Sequence, residues 1–288
     1  MNNIILDDKT PFLLPDKKIE MYYFTDPLCS HCWALDVVLT RFKWEYKDYL
    51  NVITVLGAMT EDGNHYDDLN GTEAKEQVSH WEQVGMFYHI PINGKIWKKD
   101  PITSSFPSSI AYLLIKKQND DLATKFLRMV REGAFVFEKN IAKREILETM
   151  ISNLGLNAKE ILDISYSEEG KELLMQNLQP MTDLEVKGFP TVVMVNEKDE
   201  GVKVVGSRTI EVYKKALLKL LGEDASLHPA SLPTLSEYLE KVPTVFFQEI
   251  EKMYDLKKDQ VKAYITTNLE KGTYKLGAVV KHKYIQKR

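Results

Sequence analysis

IEMYYFTDPLCSHCW, Ile19 to Trp33, is the stretch from which the rest of the chain is read. Ile19 to Thr25 is rich in aromatic and aliphatic residues, as expected of a buried strand. Asp26-Pro27 ends it, because proline has no N–H to give to a central ladder. A helix is predicted from about Cys29 to Tyr49, with Leu35, Val38, Leu39, Phe42 and Tyr46 at helical spacing. At the junction sit Cys29 and Cys32, the only two cysteines of the chain. A C-x-x-C pair between a strand and a helix has the layout of a dithiol redox site.

The whole chain sets limits on that reading. Its 288 residues fit one or two domains, and 44% apolar content is ample for a core. With 38 basic and 42 acidic residues, the formal net charge is -4, which gives no overall bias toward nucleic acid or membrane. No apolar run approaches the roughly 20 residues of a membrane helix. The first residues, MNNIILDDKTPFLLPDKK, lack the basic start, apolar core and cleavage site of a secretory signal, so a cytoplasmic location is expected. In a reducing compartment a lone cysteine pair is catalytic, redox-sensing or metal-binding more often than a structural staple.

Outward from the opening stretch, Ile4, Ile5, Phe12, Leu13 and Leu14 read as an added edge segment. Val52 to Leu56 reads as a second strand. Helical patterns then follow at Thr72–Tyr88, Ser105–Gln118, Asp121–Glu138, Lys143–Leu154, Asn157–Leu162 and Glu168–Lys187, the last broken near Pro180. Ile90 to Ser104 reads as a loop. Strands return at Thr191–Val195 and Gly201–Gly206, and a helix runs from Ser207 to Leu221. The expected division is a domain over 16–222 with a helical insert over about 60–187, a linker over 223–233, and a small appendage over 234–288. In the appendage, Thr244–Tyr254 and Lys258–Lys271 read as helices and Thr273–Tyr284 as strand-like. From Thr234 onward eleven basic residues face seven acidic ones.

The cysteine pair dictates its own chemistry. The N-terminus of a helix favours an anion, and so favours a thiolate at Cys29. Cys32, one turn on, can resolve a mixed disulfide formed at Cys29. His31 adds positive charge and a hydrogen-bond donor beside it; Ser30 can donate weakly. A zinc site would need two more soft or imidazole ligands. No further cysteine exists, and His65, His80, His89, His228 and His282 have no metal-like spacing, so no metal and no cofactor beyond the cysteine pair is expected.

Gly188-Phe189-Pro190-Thr191 opens the third strand after a long helix. A cis Pro190 there would leave the backbone of Phe189 open to an extended substrate. Trp97 and Phe106 are expected either to line a peptide groove or to pack, with Ser104 or Ser105 as an N-cap. Asp26 reads as a turn former before Pro27 or as a proton acceptor for Cys32. Trp33 either shields the pair or packs, and Met59 either approaches the sulfurs or joins the core.

With both motifs placed, the chain resembles the DsbA family of thioredoxin-like proteins over about Ile19 to Leu221. The resemblance is carried by DPLCSHCW (Asp26–Trp33), the helical insert and GFPT (Gly188–Thr191). Ser30 departs from the proline usual in periplasmic members. The chain is more similar still to the cytosolic branch that includes the SpxH (YjbH) adaptors of the ClpXP protease and dithiol–disulfide isomerases. The residues behind this are DPLC with Trp33, DEGVKVVG (Asp199–Gly206) and Tyr254-Asp255-Leu256. Gly57-Ala58-Met59-Thr60 and IWKKDP (Ile96–Pro101) look more like the enzyme members.

The resemblance implies an α/β fold: a thioredoxin-like, DsbA-type mixed sheet with a large α-helical insert and a small winged-helix-like appendage. It implies thiol–disulfide exchange on protein or peptide substrates, with Cys29 as nucleophile, Cys32 as resolving thiol, His31 as tuner, and Phe189, Pro190 and Trp97 on the substrate side. The alternative is a redox-responsive adaptor that delivers a regulatory protein to a ClpXP-type protease. Glutathione-dependent transfer or isomerisation is a third reading, but such sites are usually led by serine. The appendage's second helix mixes Lys258, Lys262 and Lys271 with Asp259 and Glu270. It therefore reads as a packing or protein-interaction module rather than a nucleic-acid reader. No membrane partner is expected.

Overall fold

A computed structural model describes residues 19–57, 72–222 and 225–288. The chain runs through β1 (Ile19–Thr25), α1 (Ser30–Glu45) and β2 (Leu50–Leu56). The helices α2 (Thr72–Tyr88), α3 (Ile96–Lys99), α4 (Phe106–Gln118), α5 (Asp120–Phe135), α6 (Arg144–Ser152), α7 (Ala158–Ser165) and α8 (Glu168–Asp183) follow. Next come β3 (Thr191–Asn196), β4 (Gly201–Val205) and α9 (Ile210–Leu221). The last part holds α10 (Leu235–Lys241), β5 (Thr244–Phe246), α11 (Phe247–Tyr254), α12 (Val261–Asn268), β6 (Tyr274–Val279) and β7 (His282–Lys287).

The first four strands form one sheet of order β2-β1-β3-β4. β1 is parallel to β2 and antiparallel to β3, and β3 is antiparallel to β4. Every residue of β1 is buried, which explains its near-continuous apolar sequence. Ile19, Met21 and Tyr23 point to one face, against Leu35, Leu39 and Phe42 of α1 and Tyr213 and Leu217 of α9. Tyr22 and Phe24 point to the other, against Leu184 and Val186 beyond α8. The insert builds the largest core, around Ile110, Phe126, Leu147, Leu162 and Leu174. The mixed sheet with its helical insert is the expected fold.

The appendage folds as α10, β5, α11, α12 and a β6–β7 hairpin, with sheet order β5-β7-β6, the winged-helix-like arrangement expected. Several details differ from expectation. Thr244–Phe246 is a strand, not the first turn of a helix, because it pairs with Tyr284–Gln286 of β7. Thr273–Tyr284 is not one strand: the chain reverses at Val280 and Lys281, both at positive φ, without the Asn or Gly that usually signals such a turn. Pro180 does not break α8, which continues to Asp183 with the Leu184 N–H donating to the Pro180 carbonyl at 3.0 Å. The loop Ile90–Ser104 contains the single turn α3. The segment expected as a linker lies against the core over 225–233: Ala230 N–H donates to the Glu45 carbonyl (2.7 Å) and His228 N–H to Tyr49 Oη (3.1 Å). The expected packing of Ile4, Ile5, Phe12, Leu13 and Leu14, and the placement of Met59, fall outside the described residues.

One buried cation ties the insert to the sheet. Arg131 of α5 is 2% exposed. Its Nη1 donates to both oxygens of Asp36 on α1, each at 2.6 Å, and its Nη2 donates to Thr25 Oγ1 at the end of β1. Tyr23 Oη donates to the same Asp36. Burial works against the guanidinium charge, but Asp36 and then Tyr23 outweigh it, so Arg131 is held above its ordinary value. Removing one partner of a buried pair leaves the other uncompensated. Arg131→Met, which keeps the aliphatic stem, should therefore destabilise the protein by about 3–5 kcal/mol. A urea unfolding midpoint unchanged from wild type would show that the pair carries no such weight.

Candidate functional site

Cys29 is the N-cap of α1, and Cys32 lies one turn inside the helix. The two are joined as a disulfide, with Cα atoms 5.1 Å apart. The Cys32 N–H donates to Cys29 Sγ at 3.1 Å, so the helix end aims a donor at this sulfur, as expected of a thiolate-stabilising position. Cys29 is 8% exposed and Cys32 fully buried. An incoming thiol therefore reaches Cys29 first.

The two residues between the cysteines face α2. His31 is half-buried, with its ring centroid 5.7 Å from His80 and 5.7 Å from Tyr88, the latter edge-on. Ser30 Oγ lies 3.3 Å from His80 Nε2. Burial, and then the neighbouring His80, lower the His31 pKa from its ordinary value. His80 thus belongs to the site through both interposed residues. Sequence reading weighed it only as a metal ligand, because a single histidine on the polar side of an amphipathic helix carries no local signal of a partner at His31.

The floor of the site is made where β1 ends. Asp26 is fully buried; its Oδ1 accepts from Leu28 N–H (2.7 Å) and its Oδ2 from Ser105 Oγ (2.8 Å). The turn reading of Asp26 fits this geometry. Ser105 is the N-cap of α4, yet its hydroxyl serves Asp26 rather than its own helix. The Phe189–Pro190 peptide is cis. Because Thr191 pairs with Phe24, Pro190 lies alongside Thr25, at the strand end that leads to Cys29. A Cβ on Gly57 would fall within 2.5 Å of two Phe189 ring atoms and 3.0 Å from Asp26 Oδ2, so Phe189, Gly57 and Asp26 meet at one point.

Trp97 does not line a groove. It is 1% exposed and packs edge-on against Trp81, with centroids 5.2 Å apart, in the insert core. Its aromatic area is satisfied there rather than at the surface. Trp33 is also packed: Nε1 donates to the Pro91 carbonyl (3.0 Å), Phe135 stacks on it, and Phe246 of β5 meets it edge-on. Arg128 of α5 lies 4.5 Å from its ring centre and forks onto both Glu249 oxygens of α11 (2.6 and 2.9 Å). The helix that starts with the cysteine pair is thus in direct contact with the appendage. Arg131 carried a signal that was not used: on α5 it sits in the apolar row Leu127, Val130, Ala134, where a charge needs a buried partner. Among the described residues, no group of three or more His, Cys, Asp or Glu is placed to hold a metal ion.

The His31–His80 contact is open to test. His80→Asn removes the like charge but not the burial, so the His31 pKa should rise partway toward the free value of about 6.5 in a proton NMR titration. The sign carries over to stability. A histidine whose folded pKa is lowered binds its proton less well than in the unfolded chain, so its penalty grows as the pH falls below about 6.5. The variant should lose part of that acid sensitivity. An unchanged His31 titration would show that the two rings do not interact.

The sequence model of a family described as thioredoxin matches residues 22–215. The ClpXP adapter protein SpxH of Halalkalibacterium halodurans is 29% identical over 250 residues, covering 85% of this chain and 81% of that protein. SpxH of Bacillus subtilis is 27% identical, covering 86% and 82%. Among solved structures, the cytosolic disulfide reductase DsbM from Pseudomonas aeruginosa has a TM-score of 0.53 at 18% identity, covering 65% of this chain and 89% of that one. The resemblance read from Asp26–Trp33 and Gly188–Thr191 therefore holds, with SpxH proteins and a DsbM structure among the matches. With more than half of its length matched, from mid-β1 into α9, the chain belongs to the thioredoxin family.

Proposed function

We propose that the protein carries out thiol–disulfide exchange at Cys29 and Cys32 on protein or peptide substrates, in the cytoplasm, with no cofactor beyond the cysteine pair. The observation that carries this is the placement of the pair. The more accessible sulfur sits at the helix N-terminus under the Cys32 N–H, and the other is buried directly behind it. In the oxidising direction, a substrate thiolate attacks Cys29 Sγ. The Cys29–Cys32 bond breaks, and Cys32 leaves as a thiolate that takes up a proton. A second substrate thiolate then attacks the substrate sulfur of the mixed disulfide. Cys29 is released, the substrate leaves as a disulfide, and the pair is reduced. Run backward, the same steps reduce a substrate disulfide. Burial and His80 lower the His31 pKa, which favours the uncharged ring between the two cysteines. Phe189 and Pro190 border the strand end beside the pair.

A second reading is favoured by a separate observation. The SpxH relatives, named as ClpXP adapters, match over 85% and 86% of this chain, more than the cysteine-bearing part alone. The appendage touches the redox helix through Trp33–Phe246 and the insert through Arg128–Glu249. An adaptor that presents a regulatory protein to a ClpXP-type protease, with the cysteine pair reporting redox state to the appendage, is consistent with that contact. No helix of the described residues is long and apolar enough to cross a membrane.

Insulin reduction by dithiothreitol separates the readings. Wild type should accelerate it, Cys29→Ser should fall to the uncatalysed rate, and Cys32→Ala should accumulate a mixed disulfide with substrate, resolved on non-reducing gels. A wild-type rate equal to buffer would sink the exchange reading. In a reconstituted ClpXP reaction with a thiol-regulated client, the adaptor reading expects faster client loss in the presence of the chain. It also expects a change in that rate when both cysteines are replaced by serine.

A further inference from the structure

The appendage and the end of α2 enclose a groove of about 1180 Å³ that the dithiol chemistry does not use. Its walls are α11, the start of α12 and the β6–β7 hairpin, and it is closed on the far side by Tyr88 and His89. Five lysines line it: Lys252, Lys258, Lys262, Lys281 and Lys283. One carboxylate, Glu251, faces them among the described residues. No carboxylate of the described residues forms an ion pair with Lys258, Lys262, Lys281 or Lys283, although the chain as a whole is acidic. Five lysines are thus gathered at one place against a single lining carboxylate.

Two further features mark the groove as a place where an anion would be favoured. His282 Nδ1 is shielded from solvent and has no hydrogen-bond partner among the described residues. Burial, then Lys258 and His89, push the His282 pKa down, and burial lowers Lys252 despite the nearby Glu249 and Glu251. An anion entering the groove would relieve both. The walls are not purely cationic: Leu276 is 59% exposed, and Phe247 and Tyr88 contribute aromatic surface.

We infer that this groove binds an acidic segment of a protein partner, with carboxylates on the lysine rim and an apolar side chain against Leu276. Charge complementarity selects an anion, and the exposed apolar wall selects a polypeptide over a bare phosphate backbone. A duplex is disfavoured by shape. A recognition helix reads DNA from an open face, whereas Lys258 and Lys262 line a groove that Tyr88, at the end of α2, also lines. The same Tyr88 touches His31, so the bound segment lies one ring away from the cysteine pair. The inference does not depend on exchange activity.

The test uses the full chain and a displayed library of random dodecapeptides. Peptides that bind wild type are screened against Lys262→Glu/Lys281→Glu/Lys283→Glu, whose three sites are exposed and whose circular dichroism and Tm should match wild type. The expected result is a set rich in Asp and Glu with at least one large apolar residue. These peptides should bind the variant at least tenfold more weakly and wild type more weakly as salt rises. On binding, the His282 NMR pKa should rise. Selection of neutral or basic peptides, equal binding by the variant, or no enrichment at all would overturn the inference. Tighter binding of a 16-base-pair duplex than of the best peptide, lost in the same variant, would overturn it in favour of nucleic acid.

Discussion

The guanidinium of Arg131, buried beneath the end of β1, is the constraint on which the architecture turns. A cation out of water is costly unless partners of opposite charge and hydrogen-bond acceptors meet it. Here Asp36 of α1 and Thr25 of β1 meet it, and its carrier is α5 of the insert. The insert cannot slide over the sheet without unpairing that charge. The same contact fixes α1 against β1 at the point where the chain turns toward Cys29. The helical insert is thus bonded to the redox end of the sheet, and its α2 reaches the cysteine pair with His80 and Tyr88 in place.

A second arginine does similar work on the outside. Arg128 lies one helical turn before Glu132, rests on Trp33 and forks onto Glu249. Its side chain and that of Glu249 are mostly shielded. Charge-assisted, bidentate contacts of this kind set orientation as well as strength. Arg41 repeats the device at the other end of the interface, forking onto Asp255. With Phe246 of the appendage also packed into the core of the insert, the winged-helix-like part is fixed to the rest through aromatic and ionic contacts.

What could be read from sequence was local. β1, α1 and the C-x-x-C between them are contiguous, and their periodicity and turn chemistry lie within one window. The GFPT motif was placed because a strand pattern follows it directly. The winged-helix hairpin blurred because Val280-Lys281 turns the chain without a residue that advertises a turn. The interactions that assemble the site were largely invisible: Ser30 with His80, Asp26 with Ser105, Asp36 with Arg131. Each joins residues 50 to 95 positions apart, and none has a helical or strand period. Trp97 misled for a related reason. An aromatic residue in a polar loop looks like a ligand contact until the fold shows the Trp81 ring it covers.

Gly57 follows β2 at the meeting of two strands and a ring. Its restriction is one of room, since its neighbours, not its backbone angles, exclude a side chain. The Phe189 ring occupies the volume a methyl group would need, next to the buried carboxylate of Asp26. A single added carbon would have to displace that ring and press on the Asp26 carboxylate. The shape of the redox pocket is therefore set partly by a residue that contributes no side chain to it: any substitution at position 57 acts on the pocket only through the Phe189 ring it would displace.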